Sequence, residues 1–171
     1  MRPDPVPRDV VEDLLRAAVC APNHHLTRPW RFVVLSGAAR RRVGEAHAAS
    51  VARDRPDAAT DVVAREAARL ERAPVVVVAI VTTDPADGVR AREDRDAVAA
   101  ATQNLLLAAH ARGLAAMWRT GAMVDEREVR AELGLGNGDA IVGFVYVGYE
   151  DVAPPRRERG DVTGVVEWHD R

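Results

Sequence analysis

Residues 74–82, Pro-Val-Val-Val-Val-Ala-Ile-Val-Thr, restrict the folds open to this chain more than any other segment. Side chains of a strand point alternately to its two faces, so a strand apolar at every position has to be covered on both. The run therefore predicts a buried strand with other layers above and below it. Residues 97–112 are dominated by alanine and leucine. They predict a helix that is apolar nearly all round and central, stopped by a left-handed Gly113. Helices intermixed with a few strands, with no repeated βαβ pattern, imply an α+β layer fold. The 171 residues suit one domain, 1–171, in which residues 150–171 form an extended tail with no core of its own.

The other elements follow from spacing and punctuation. Val10, Val11, Leu14, Leu15, Ala18 and Val19 recur at helical spacing behind Pro7. Residues 30–35 read as a strand, and residues 37–72 as two helices parted near Arg55-Pro56-Asp57. The charged stretch 84–96 is expected to be a solvated loop leading into the central helix. Residues 115–118 suit a short strand and residues 140–149 a last one. Asp125 and Glu128 have capping-box spacing for a helix running to Leu133. Gly134-Leu135-Gly136-Asn137-Gly138 lacks the spacing of a dinucleotide loop and precedes a strand, so it is a turn.

Composition removes whole classes of chemistry. All 24 basic residues are arginine, which excludes a Schiff-base lysine and a P-loop lysine. The single cysteine, Cys20, excludes disulfide frameworks, iron–sulfur clusters and cysteine-rich zinc sites, and it reads as a small buried hydrophobe. A net charge of −2 gives no reason to expect a nucleic-acid partner. No apolar run approaches a membrane span, and the start Met1-Arg2-Pro3-Asp4-Pro5 is no signal segment, so the expected compartment is the cytoplasm.

Two constellations stand out. Ala21-Pro22-Asn23-His24-His25 followed by Arg28-Pro29-Trp30-Arg31-Phe32 places two imidazoles, an amide and a guanidinium on a helix-to-strand loop. The bland alternative is an Asn23 cap with solvated histidines. No further histidine stands at a ligand spacing from the pair, so no metal is expected. Trp118-Arg119-Thr120-Gly121 combines an aromatic ring, a forked cation, a hydroxyl and a flexible backbone, a set suited to a planar ligand with a phosphate or a polarised carbonyl. Here the bland alternative is a local stack of Arg119 on Trp118. Arg156-Arg157 is a solvated pair that could reach a phosphate, and Arg40-Arg41-Arg42 is the exposed face of a helix. Neither serine, Ser36 or Ser50, lies in a nucleophile elbow, and no catalytic side chain is assigned.

With these residues in hand the chain resembles the nitroreductase family, in particular its small YdjA-like members. The resemblance is carried, in order, by Ala21-Pro22-Asn23-His24-His25, Pro29-Trp30-Arg31-Phe32, Arg72-Ala73-Pro74-Val75, Gln103-Asn104-Leu105 through Arg112-Gly113-Leu114, Trp118-Arg119-Thr120-Gly121 and Ile141-Val142-Gly143-Phe144. It implies an α+β homodimer with a central, mostly antiparallel sheet flanked by helices. FMN would be held at the subunit interface, reduced by NADH or NADPH, and would pass electrons to a nitroaromatic, a quinone or a similar planar acceptor. Cys20, Asn23, His24, Trp118, Arg119, Thr120, Gly121 and Arg156 would be the flavin contacts. Ala108, Ala109, His110, Ala111, Arg112 and Gly113 would match the nicotinamide-nucleotide stretch. Family members usually begin with a helix and an Arg-Arg-Ser segment that grips the FMN phosphate. Against that pattern, this form is expected to bind FMN weakly, with Arg119 and Arg156 or Arg157 as its phosphate partners. The alternative function is a degenerate relative with weak or no flavin binding that acts as a non-catalytic interaction protein.

Overall fold

In a computed structural model, residues 1–153 and 160–170 are described. Strands Trp30–Ser36 (β1), Val75–Thr82 (β2), Ala115–Arg119 (β3) and Asp139–Gly148 (β4) form one sheet in the order β1-β2-β4-β3. Every pairing is antiparallel, with Trp30 opposite Val81, Val77 opposite Val145 and Trp118 also opposite Val145. The sheet is thus wholly rather than mostly antiparallel. β2 is buried on both faces from Val75 to Val81, as its unbroken apolar run requires.

Among the described residues five α-helices make the two covering layers: Arg8–Ala18 (α1), Ala38–Asp54 (α2), Thr60–Ala67 (α3), Gly88–Ala111 (α4) and Arg127–Glu132 (α5). On one face Leu14 of α1 and Leu105 of α4 pack on Val77 and Val145. On the other, Val43 of α2 and Val129 of α5 pack with Leu70 on Val76, Val78 and Tyr146. α2 and α3 touch where Gly44 faces the carbonyl of Ala67. Among the described residues no helix is long and apolar enough to cross a membrane.

Three expectations need correction. α4 begins at Gly88, not near residue 97, so most of the charged stretch 84–96 is helix. Its start is capped by Asp87, whose carboxylate accepts from the Arg90 N–H at 3.0 Å. Charged residues concealed this turn because only one side of it faces the protein. Nor is α4 apolar all round in its environment, since Leu107 is 58% exposed. The capping box at α5 does not form. Glu126 occupies the cap position but its side chain makes no capping bond, and Glu128 turns to other partners.

Those partners give a pH prediction. The Ser50 hydroxyl donates to Glu128 at 2.7 Å, and Arg53 and Arg127 also reach this carboxylate. Together, with Ser50 foremost, they hold it at about 2, well below the ordinary 4.5. A carboxylate depressed in the folded state contributes stability that is complete above pH 4.5 and fades as the pH falls towards 2. Ser50→Ala should raise this pKa and move the acid-unfolding midpoint, followed by circular dichroism, to higher pH. An unchanged midpoint would mean that Ser50 does not set it.

Candidate flavin site

The end of β3 carries Trp118 and Arg119, and adjacent strand residues face opposite ways. Trp118 packs towards the α1/α4 layer, with its indole N–H donating to the Val142 carbonyl at 3.4 Å. The pairing of β2 with β4 shifts by one residue here: Ala79 opposes Gly143 but Ile80 opposes Ile141, which leaves Val142 as a bulge. A Cβ at Gly143 would lie 2.0 Å from the Trp118 indole nitrogen, so the ring depends on that missing side chain.

Arg119 points to the other layer. It lines a cavity of about 70 Å³ with His47, Arg69, Thr120, Gly121 and Tyr146. A local stack of Arg119 on Trp118 is therefore not formed. Among the described residues the guanidinium of Arg119 has no carboxylate partner. Gly121, at φ +112°, turns the chain in a conformation that side-chain-bearing residues avoid. Burial pushes the Tyr146 phenol up, although the guanidiniums of Arg69, Arg119 and Arg72 oppose it. Behind the cavity His47 bridges Glu126, 2.7 Å from Nδ1, and Glu66, 3.2 Å from Nε2. Burial pushes Glu66 up, but Arg69 at 2.6 Å and His47 outweigh it and leave this carboxyl below its usual range.

The histidine loop lies in the opposite layer. His24 and His25 are exposed, with ring centroids 3.8 Å apart, beside a cavity of about 520 Å³ shared with Asn23, Glu93 and Asp96. His24, His25 and Glu93 bring ligand-type atoms within 4.8 Å of one another, a cluster that the spacing of histidines alone did not reveal. Asn23 does not cap a helix. Its amide N–H donates to Thr27 Oγ1 at 2.9 Å and its oxygen accepts from the Arg28 N–H at 2.6 Å. Cys20 lies beyond the end of α1 and is exposed, with its thiol donating to the Arg16 carbonyl at 3.3 Å. The reading of a buried hydrophobe fails because the stripe ends at Ala18, two residues earlier.

The stretch from Ala108 to Gly113 closes α4. Ala109 is sealed in the core, while His110 and Gly113 border an open groove of about 850 Å³ with Met117, Glu150 and Val152. Arg112 is held by Asp13 of α1 at 2.6 Å. Gly113 takes φ +70°, the left-handed stop expected of it. Arg156 lies outside the described residues. The chain thus brings Arg119, Thr120 and Gly121 together, and Asn23 with His24, but opens the two groups into different cavities.

The Nitroreductase family profile matches residues 1–149. The chain belongs to the nitroreductase family. It is 31% identical over 162 residues to YfhC of Bacillus subtilis, provisionally named an NAD(P)H nitroreductase, across 91% of this chain and 80% of that one. The fold superposes with a TM-score of 0.84 on the crystal structure of a nitroreductase-like family protein from Bacillus cereus, which is 27% identical; 100% of this chain and 89% of that one are covered. It also matches the FMN-dependent nitroreductase NfnB of Mycobacterium smegmatis in complex with NADPH, with a TM-score of 0.77 and 22% identity, over 98% and 91% of the two chains.

For a nitroreductase-family chain the most informative residue missed by sequence reading is Asp94. It sits on the buried face of α4 and accepts from the hydroxyls of Thr27 and Thr83. The signal was present, because Asp94, Val98, Ala101 and Leu105 follow one helical stripe, so the acid continues an apolar row.

Proposed function

We propose that this protein is an FMN-dependent oxidoreductase that uses NAD(P)H to reduce nitroaromatics, quinones or similar planar acceptors, and that it works as a homodimer. The observation that carries the reading is Arg119, a half-buried guanidinium without a carboxylate among the described residues, beside the Thr120 hydroxyl and the turned backbone of Gly121. An unpaired cation suits the phosphate or the electron-rich ring edge of a flavin, and the residues present fit the group in that respect. When bound, FMN supplies the redox chemistry, accepting a hydride from NAD(P)H and returning two electrons to the acceptor. The chain then has to bind, orient and exclude water, which agrees with the absence of an activated nucleophile from its motifs. Arg119 would offer charge, Thr120 and Gly121 hydrogen bonds, and His24 an exposed imidazole. Quenching of FMN fluorescence on titration with the protein tests this, and an unchanged signal at excess protein would refute it.

The dimer rests on unpartnered surface. Leu107 on α4, Met117 on β3 and Trp168 in the tail are exposed, the last at 83%. Met117 also lines the open groove with Leu106, Leu114 and Val152, and soluble monomers seldom leave large apolar surfaces open. A second copy would cover them. An obligate interface of this kind buries more than about 2,000 Å². Light scattering at micromolar concentration should give twice the chain mass of 18.5 kDa. A stable monomer would contradict the proposal.

A further inference from the structure

Asp94 is 3% exposed, and among the described residues no arginine or histidine stands within ion-pair distance of it. A buried carboxylate is costly unless hydrogen bonds satisfy it. Here each oxygen receives one hydroxyl: Thr27 Oγ1 donates to Oδ1 at 2.6 Å, and Thr83 Oγ1 donates to Oδ2 at 2.8 Å. The two threonines come from different places. Thr83 follows β2 and is bound through its backbone N–H to the Gly138 carbonyl at 2.9 Å. Thr27 belongs to the histidine loop, and its oxygen accepts in turn from the Asn23 amide at 2.9 Å. Asn23 then closes the loop by accepting from the Arg28 N–H at 2.6 Å.

That chain of bonds spans a turn whose other side-chain contacts are the Asn23 amide donating to the His24 carbonyl at 3.1 Å and His25 Nε2 standing 3.9 Å from Glu93. His24 and His25 are exposed and Leu26 is 80% exposed, so burial of apolar surface fixes nothing there. Three residues without glycine's freedom, His25 at φ 58°, Leu26 at 55° and Arg28 at 49°, adopt left-handed conformations. Such residues stay in place only where their surroundings over-determine them. The restraint available is polar, and it starts from a carboxylate anchored in the rigid interior of α4.

We propose that Asp94 is a positioning residue that acts through Thr27 and Asn23 to fix the turn presenting His24 and His25. On the FMN reading given above, it thereby sets how tightly the flavin is held. The competing view is that Asp94 only ties α4 to the end of β2 through Thr83, as general scaffold.

The two branches from Asp94 allow a direct test on the full chain. The reporter is the Arg28 amide, protected by Asn23 and measured by hydrogen exchange in apo protein. Asp94→Ala and Thr27→Val should each speed its exchange roughly tenfold, since each removes a charge-assisted bond from the loop branch. Thr83→Val breaks the other branch and should leave that amide within about twofold of wild type. Asp94→Asn keeps an acceptor oxygen for Thr27 and should restore most of the protection. FMN affinity should fall in Asp94→Ala and Thr27→Val but not in Thr83→Val. If Asp94→Ala fails to fold, the isosteric Thr27→Val carries the test. Unchanged Arg28 exchange in Thr27→Val would overturn the proposal, as would equal loss in Thr83→Val, or loosened exchange with full FMN affinity. A wild-type protein that binds no FMN would defeat the functional reading alone, because the Arg28 amide would still decide whether Asp94 holds the turn.

Discussion

Arg119→Ala is expected to weaken FMN binding roughly ten- to a hundredfold, the equivalent of one charge-assisted contact worth about 1.5–3 kcal/mol. The same substitution should change stability by only about 0.5 kcal/mol. The contrast follows from the surroundings of the guanidinium. Arg119 is half-buried at the end of β3 and has no carboxylate partner among the described residues, so its removal orphans no charge among them. A structural arginine such as Arg112, paired with Asp13 at 2.6 Å, would behave differently. His24→Ala should cost less affinity, because an exposed imidazole makes an ordinary hydrogen bond. Fluorescence titration of each variant, with thermal melts alongside, measures both quantities. Full FMN affinity in a folded Arg119→Ala protein would mean that Arg119 does not contact the cofactor.

Gly44→Ala should destabilise the protein by about 3 kcal/mol, the upper part of the usual range for overpacking. For a chain of this size that corresponds to a fall in Tm of roughly 6–12 °C. Helix propensity argues the opposite sign, since alanine in a helix interior is preferred over glycine by about 1 kcal/mol. Geometry decides between them. A Cβ at Gly44 would stand 1.9 Å from the carbonyl oxygen of Ala67, a backbone atom that cannot rotate aside. α2 and α3 would have to separate, and with them the His47 contact to Glu66 behind the Arg119 cavity. A melt that rises or stays level would show that the helices adjust at no cost.

What was legible in the sequence was whatever depends on pattern alone. The valine run of β2, the stripe of α1, the stop at Gly113 and the break near Arg55-Pro56-Asp57 each rest on a local cause, and each is found where that cause places it. The covering of both faces then follows from a strand with no polar face, whereas the order β1-β2-β4-β3 had no signal in the sequence. Readings failed where a partner distant in sequence decides the outcome. Glu128 has the right spacing to cap α5, yet Ser50, 78 residues away, takes its carboxylate. Asp94 looked like one more charge in a solvated stretch, and only Thr27, 67 residues away, makes it a buried anchor. Trp118 and Arg119 were legible as a motif but not as a geometry, because the strand sends them to opposite layers. The motif residues of the candidate site could be named in advance, whereas the separation of Arg119 from His24 required the fold.

On the proposed function this chain, loaded with FMN, passes electrons from NAD(P)H to a planar acceptor. The most direct measurement is anaerobic absorbance of the protein with saturating FMN, first on addition of NADH or NADPH and then of a quinone or a nitroaromatic compound. The flavin band should bleach far faster than that of free FMN under the same conditions, and it should return when the acceptor is added. Bleaching no faster than for free FMN, with either nucleotide, would contradict the account.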